Sequence, residues 1–123
     1  MLPNDSLELR REDRESRLIE KAEELALHLR LHSKEPLLLG DYARMLAINA
    51  QYLNAAFKRR FGVSIPEYRR MVRLEEAKRL LTETGWSLGK IAVETGFCDA
   101  AYLGNVFKKK FRMTAMEWRR GGE

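Results

Sequence analysis

From Arg14 to about Leu31 the apolar residues Leu18, Ile19, Ala22, Leu25, Ala26 and Leu29 recur at helical spacing, with Glu20, Lys21, Glu23, Glu24 and Arg30 between them. This predicts an amphipathic helix with one stripe to bury. The residues ahead of it, Met1 to Asp13, are charged and aperiodic, and are expected to fray. The mixed charges from Glu8 to Arg17 read as a solvated face or linker. Ser33 to Pro36 ends the helix, because the residue before a proline is pushed out of the α region. A short helix over about Leu39 to Leu46 follows, then a tight break at Ala47-Ile48-Asn49. Asn49 is placed to cap the next helix by accepting from an unpaired amide. That helix, about Ala50 to Phe61, carries Leu53, Ala56, Phe57 and Phe61 on one stripe and closes at Gly62.

Ser64-Ile65-Pro66-Glu67 is a capping box with proline in the first turn. The helix it opens, with Tyr68, Val72, Ala77, Leu80 and Leu81 in phase, runs to Thr84 and stops at Gly85, about 30 Å long at 1.5 Å per residue. Ser87 caps a short helix ending at Gly96, and Asp99 caps one from Ala100 to Phe111. Thr114-Ala115-Met116-Glu117 is a second capping box, opening a terminal helix with Trp118. No segment has strand periodicity. The fold expected is all-α, with seven helices.

The pattern is written twice. Tyr52 to Phe61 is answered fifty positions later by Tyr102 to Phe111, Ser64 by Thr114, Glu67 by Glu117, Tyr68 by Trp118, and Arg69-Arg70 by Arg119-Arg120. Two copies are too few for a solenoid. They point to two equivalent helix-turn-helix units, so the expected division is residues 1–13 as a frayed segment or linker, 14–62 as the first unit, 63–85 as a linking helix and 86–123 as the second unit.

Charge sharpens this picture. The formal net charge is +5, but residues 1–40 hold seven basic and nine acidic side chains, whereas residues 41–123 hold sixteen and nine. The basic excess thus belongs to the repeated part, as a phosphate-binding surface requires. Hydrophobic content of 45% fits a folded chain of one modest domain or two small ones. No run approaches the ~18 apolar residues of a membrane span, and no signal peptide is visible at Met1-Leu2-Pro3. The single cysteine, Cys98, has no partner for an internal disulfide, which fits a cytoplasmic location.

A helix-turn-helix lays its second helix in the major groove, so that helix needs a buried stripe and a free face. With Leu53 and Phe57 inward, Ala50, Gln51, Asn54, Ala55 and Lys58 face outward; with Leu103 and Phe107 inward, Ala100, Ala101, Gly104, Asn105 and Lys108 do. The triplets Lys58-Arg59-Arg60 and Lys108-Lys109-Lys110 close the two helices. They suit phosphates beside the groove, with Lys58, Arg59, Lys108 and Lys109 as the expected contacts. They also complement the helix dipole.

From about Pro36 to Arg120 the chain resembles the DNA-binding domain of the AraC/XylS family of bacterial transcription regulators. The residues that carry the likeness include Leu46-Ala47, Tyr52-Leu53, Phe57-Lys58, Phe61-Gly62-Val63-Ser64, Tyr68, Arg73, Ala77, Leu80-Leu81, Ile91-Ala92, Gly96-Phe97, Asp99, Tyr102-Leu103 and Phe107-Lys108. The resemblance implies two helix-turn-helix units on a rigid linking helix, reading successive major-groove segments of duplex DNA. It further implies activation as the commoner outcome. RNA polymerase is then an expected partner beside duplex DNA. The chain departs from the family with Ala47 where a glycine is common, Asn49 where a serine caps, and Ala55 and Asn105 where an arginine often reads guanine. Alanine cannot make that bidentate contact, worth ~1–3 kcal/mol of discrimination. Direct reading then falls to Gln51, Asn54 and Asn105, all suited to adenine, with Ala50, Ala55, Ala100 and Ala101 available to thymine methyls or to close backbone approach. Gly104 costs ~1 kcal/mol inside a helix; close approach to DNA would justify it, and so would chance. An A·T-rich site read partly through DNA shape is expected.

Other chemistries find little support. His28 and His32 have metal-ligand spacing but no further ligands nearby in sequence, so a surface pair is expected and no metal or cofactor. No phosphate loop, nucleophile elbow or carboxylate pair suggests an enzyme, and no membrane or small-molecule site is visible. Tyr42, Tyr68, Trp86, Trp118 and the paired phenylalanines read as core, with a single-strand stacking surface as the lesser reading. The rival from another class is a helical module whose basic face binds an acidic protein partner or RNA polymerase. Some 35 residues ahead of the repeat cannot build a sensing domain; the chain reads either as a short stand-alone regulator or as a piece of a longer one.

Overall fold

The computed structural model describes residues 3–35 and 39–121, with side chains from residue 10 to 35 and from 40 to 121. Met1 and Leu2 of the segment expected to fray, and the helix stop at Pro36, lie outside the described residues. Among those described there are seven helices and no strand: α1 (Pro3–Leu31), α2 (Leu39–Met45), α3 (Ala50–Phe61), α4 (Ile65–Glu83), α5 (Leu88–Thr95), α6 (Ala100–Phe111) and α7 (Ala115–Arg119). The all-α reading holds.

The first helix corrects the sequence reading at its start. It begins at Pro3, so residues 3–13, expected to fray, are helical. The stretch lacks an apolar stripe but is rich in Glu, Arg and Leu, which favour helix, and its proline stands at the first helical position, where its missing N–H costs nothing. Arg17 and Asp13 add a loose i,i+4 pair at 3.6 Å.

The chain forms two compact units, one of residues 1–31 and 37–68, the other of residues 32–36 and 69–123. In the first, Ala22, Leu25, Ala26 and Leu29 of α1 pack with Tyr42, Ala43, Leu53, Ala56, Phe57 and Ile65. Leu18 and Ile19, expected on the same stripe, lie half-buried against it. Phe57, Phe61 and Tyr68 form an aromatic triad with centroid separations of 4.7, 5.3 and 5.2 Å, and the Tyr68 hydroxyl accepts from Arg30 at 2.6 Å.

The second unit repeats the device. Leu74, Ala77, Leu80 and Leu81 of α4 take the part of α1, packing with Ile91, Ala92, Phe97, Leu103, Phe107 and Ala115. Phe107, Phe111 and Trp118 make the second triad, at 4.6 and 6.5 Å. Trp118 donates its indole N–H to Thr82 Oγ1 at 3.1 Å, while the Lys78 ammonium lies 4.9 Å from the Phe111 ring and 5.0 Å from Trp118. Arg69 and Arg119, matched in the repeat, both serve the scaffold. Arg69 donates to the Glu35 carbonyl, and Arg119 to those of Leu81 and Thr84 at 3.1 and 3.4 Å. Burial pushes the Arg69 guanidinium below its ordinary pKa.

Candidate nucleic-acid interface

Each unit contains a short helix, a tight turn and a twelve-residue helix. Both turns leave the short helix through the same hydrogen-bond pair. Ile48 donates to Ala43 O at 2.9 Å and Ala47 to Arg44 O at 3.1 Å; Phe97 donates to Ala92 O at 2.9 Å and Gly96 to Val93 O at 3.3 Å. This six-to-one, five-to-two pairing places Ala47 and Gly96 in the left-handed region, at φ 55° and 88°. The second turn has one residue more before its long helix, which is why Asp99 rather than position 98 is the cap.

Asn49 Oδ1 accepts from Gln51 N at 2.8 Å and Tyr52 N at 3.3 Å, and Asp99 Oδ1 from Tyr102 N at 2.8 Å. Both expected caps are thus in place. Leu53, Ala56 and Phe57 bury the inner stripe of α3, and Leu103 and Phe107 that of α6. Gln51, Asn54 and Ala55 are exposed on α3, and Ala101 and Asn105 on α6. Ala50 and Ala100, expected outward, are only half-exposed. Each stands three and seven residues before the buried pair of its helix, on the edge of the inner stripe. Gly104 is half-buried too, yet a Cβ there would meet only Leu88 Cδ2 at 3.7 Å. Nothing among the described residues demands a glycine at that position.

The basic last turns are exposed at Lys58, Arg59, Lys108 and Lys109. Arg60 is otherwise engaged, 3.6 Å from Glu23 and stacked over Phe61 at 4.7 Å. Gly62 ends α3 at φ 78°, donating to Lys58 O at 2.8 Å; Arg112 ends α6 at φ 63°, donating to Lys108 O at 2.9 Å. A fourth cation therefore continues the second triplet in a conformation that non-glycine residues resist.

Sequence reasoning passed over Tyr52 and Tyr102. Tyr52 is 64% exposed and Tyr102 42%, in the first turns of α3 and α6, beside the outward face. Their phase off the Leu53 and Leu103 stripes was the available signal. A concavity of about 200 Å³ was also not foreseen; Arg14, Arg17 and Lys21 of α1 line it together with the turn from Leu46 to Ile48 and Tyr52.

His28 packs its ring 5.1 Å from Tyr42, and His32 Nδ1 lies 3.3 Å from Glu35 Oε1. Among the described residues no group of three His, Cys, Asp or Glu is placed to hold a metal ion, and no helix is long and apolar enough to cross a membrane.

Residues 42–121 match the model of a helix-turn-helix domain, spanning both units described above. A crystallised transcriptional regulator from Chromobacterium violaceum, described as an AraC-type DNA-binding domain-containing protein, superposes with a TM-score of 0.76 at 26% identity, covering 82% of this chain and 90% of that one. This chain belongs to the AraC/XylS family. It is a DNA-binding domain of transcription regulators. An uncharacterised regulator of Bacillus subtilis, YisR, is 32% identical over 97 residues, 79% of this chain and 34% of that protein. The transcriptional activator RhaR of Mannheimia succiniciproducens is 31% identical over 101 residues, 82% of this chain and 37% of that protein. The chain thus spans about a third of the length of these relatives.

Proposed function

We propose that this AraC-family chain recognises a specific duplex site and activates transcription, with α3 and α6 entering successive major-groove segments. The observation that carries the reading is the pairing, in each unit, of a capped helix buried along one stripe with a bare opposite face and a cationic last turn. Gln51, Asn54 and Asn105 read adenines, through amides that can serve both N6 and N7. Ala55 and Ala101 lie against thymine methyls, with Ala50 and Ala100 at the inner edge, and Gly104 lets the α6 backbone approach. Lys58, Arg59, Lys108 and Lys109 neutralise phosphates, while Asn49 and Asp99 hold the helix starts in register. Activation is supported by relatives named as activators, and RNA polymerase is the partner through which this chain would exert it.

The test is selection of bound duplexes from a random pool, by the wild-type chain and by Asn54→Ala. The expected result is an A·T-rich consensus whose preference collapses at one or two positions in the variant, by a discrimination of ~1–3 kcal/mol. An unchanged preference would remove Asn54 from the reading face. Inserting half a helical turn between the two halves of the selected site should abolish tight binding; indifference to that insertion, with sequence-independent binding, would favour the protein-interaction reading instead.

A further inference from the structure

We propose that the N-terminal half of α1 forms an additional phosphate-binding surface of the first unit, with Arg14, Arg17 and Lys21 gripping the DNA backbone beside the start of α3. The proposal rests on the DNA-reading function above and extends it to a segment outside the matched helix-turn-helix region, residues 42–121. The three cations stand at i, i+3 and i+7, on one row of the helix, and Arg10 continues that row four residues earlier. Glu12, Glu15 and Glu23 fall on other rows, whereas Asp13 and Glu24 flank the cations and pair loosely with two of them.

Arg14, Arg17 and Lys21 line the concavity that the turn from Leu46 to Ile48 and Tyr52 complete. Tyr52 is 64% exposed and directly follows Gln51, so the cationic row and the outward face of α3 adjoin through a phenol, itself a common phosphate donor. The ion pairs that the cations make are weak ones. Arg17 lies 3.6 Å from Asp13 and Lys21 3.6 Å from Glu24, with all but Lys21 largely exposed. Such pairs contribute little and exchange readily for a phosphate. The floor of the concavity is mostly apolar, Leu18 and the stems of the long cations included; the charge belongs to the exposed ends of Arg14 and Arg17 beside it, and it is these that a polyanion would meet. Among polyanions, the duplex backbone is the one that the adjoining α3 already brings to this place.

The experiment uses the full chain and the duplex that the wild type selects from a random pool. Affinity is measured from low to moderate salt for the wild type, for Arg14→Gln/Arg17→Gln/Lys21→Gln, and for the charge reversal Arg14→Glu/Arg17→Glu. Glutamine keeps the helix propensity, and unchanged melting curves check the fold. Each phosphate contact contributes about 0.9 to the slope of log K against log salt, so the triple variant should flatten that slope by about 2–3 while leaving the selected consensus as it was. The reversal should weaken binding further. An unchanged slope with binding intact overturns the proposal and leaves the DNA-reading function standing. A wild type that selects no sequence overturns the function itself, and the extension with it. Loss of activation in a reconstituted transcription assay without a change of slope would assign the row to an acidic segment of a protein partner, again overturning the phosphate contact. A consensus altered at individual bases would do the same, since side chains on phosphates carry no base information.

Discussion

The two helix-turn-helix units spend their backbone strain in opposite places. In the first, the turn ahead of the recognition helix holds Ala47 in the left-handed region, and the helix closes on Gly62. In the second, the turn holds Gly96 and the helix closes on Arg112. Glycine at position 96 has a local cause. A Cβ there would come within 2.9 Å of Arg73 Cζ, and Arg73 donates to Gly96 O at 2.9 Å, to Ser33 O at 2.5 Å and to Lys34 O at 3.4 Å. Burial, first of all, holds this guanidinium below its ordinary pKa. Thus the second turn yields its side chain to a guanidinium clamp, while the first can carry alanine at a modest cost. The comparison separates what the fold needs twice (buried stripe, cap, aromatic triad) from what each copy sets for itself.

The largest expected effect tests whether the two cores are equivalent. Phe57 and Phe107 are both fully buried, one in each core. Phe57→Ala and Phe107→Ala should each destabilise by about 3–5 kcal/mol, most of what a domain of this size possesses. Amide hydrogen exchange should show the loss concentrated in the unit that carries the substitution. Equal loss of protection in both units from either variant would mean that they fold as one.

Next in size is an exchange of faces. Ala101→Gln with Gly104→Asn writes the first copy's reading residues onto α6, and the space around Gly104 accepts a side chain. If the units are structurally interchangeable, random-site selection should find new base preference in the second half of the site, of ~1–3 kcal/mol per well-formed contact. Should affinity instead fall for every sequence, close backbone approach at Gly104 is what α6 contributes.

How far these features were legible in the sequence follows from the range of the interactions involved. The caps at Asn49, Ser87, Asp99 and Thr114 are local, and the residue types alone located them. The same is true of the buried stripes, whose period is that of the helix. Other features were missed. Ala50 and Ala100 were assigned outward by counting from Leu53 and Leu103, although the same spacing puts them on the rim of the buried stripe. Helix α1 was started too late because apolar periodicity says nothing about a helix held by propensity and charge. The grip of Arg69, Arg73 and Arg119 on distant carbonyls depends on tertiary contacts 34 to 40 positions apart. Pattern alone cannot distinguish such an arginine from one awaiting a phosphate.

Smaller effects would sharpen the strain comparison. Ala47→Gly should stabilise the first unit by something under about 1 kcal/mol, the relief of the left-handed conformation being partly offset by a freer unfolded chain. Gly96→Ala should cost about 1–2 kcal/mol from the backbone alone, and more as Arg73 is displaced. Arg112→Gly should stabilise the second unit while flattening the salt dependence of DNA binding by about 0.9 if Arg112 meets a phosphate. Denaturant midpoints and salt titrations separate the two consequences. A variant that is more stable and binds DNA unchanged would leave Arg112 without a reason in DNA binding.

The smallest effect lies in the second capping box. Thr114 N donates to Glu117 Oε1 at 3.0 Å and Glu117 N to Thr114 Oγ1 at 3.1 Å. In the first box the corresponding bond, from Glu67 N to Ser64 Oγ, is 3.3 Å. The Thr114 amide, its hydroxyl, and the charges of Arg120 and Lys108 hold the Glu117 carboxyl below the ordinary glutamate value of 4.5. Because the folded state favours the ionised form, the associated stability is complete above the unfolded value and disappears as pH falls through the depressed folded one. Glu117→Gln keeps an acceptor and removes the charge. The stability difference between wild type and this variant should therefore be constant from neutral pH down to about 5 and shrink below that. Denaturant unfolding at a series of pH values reads it directly; a difference that grew on acidification would show that the carboxylate is repelled in the folded state rather than held.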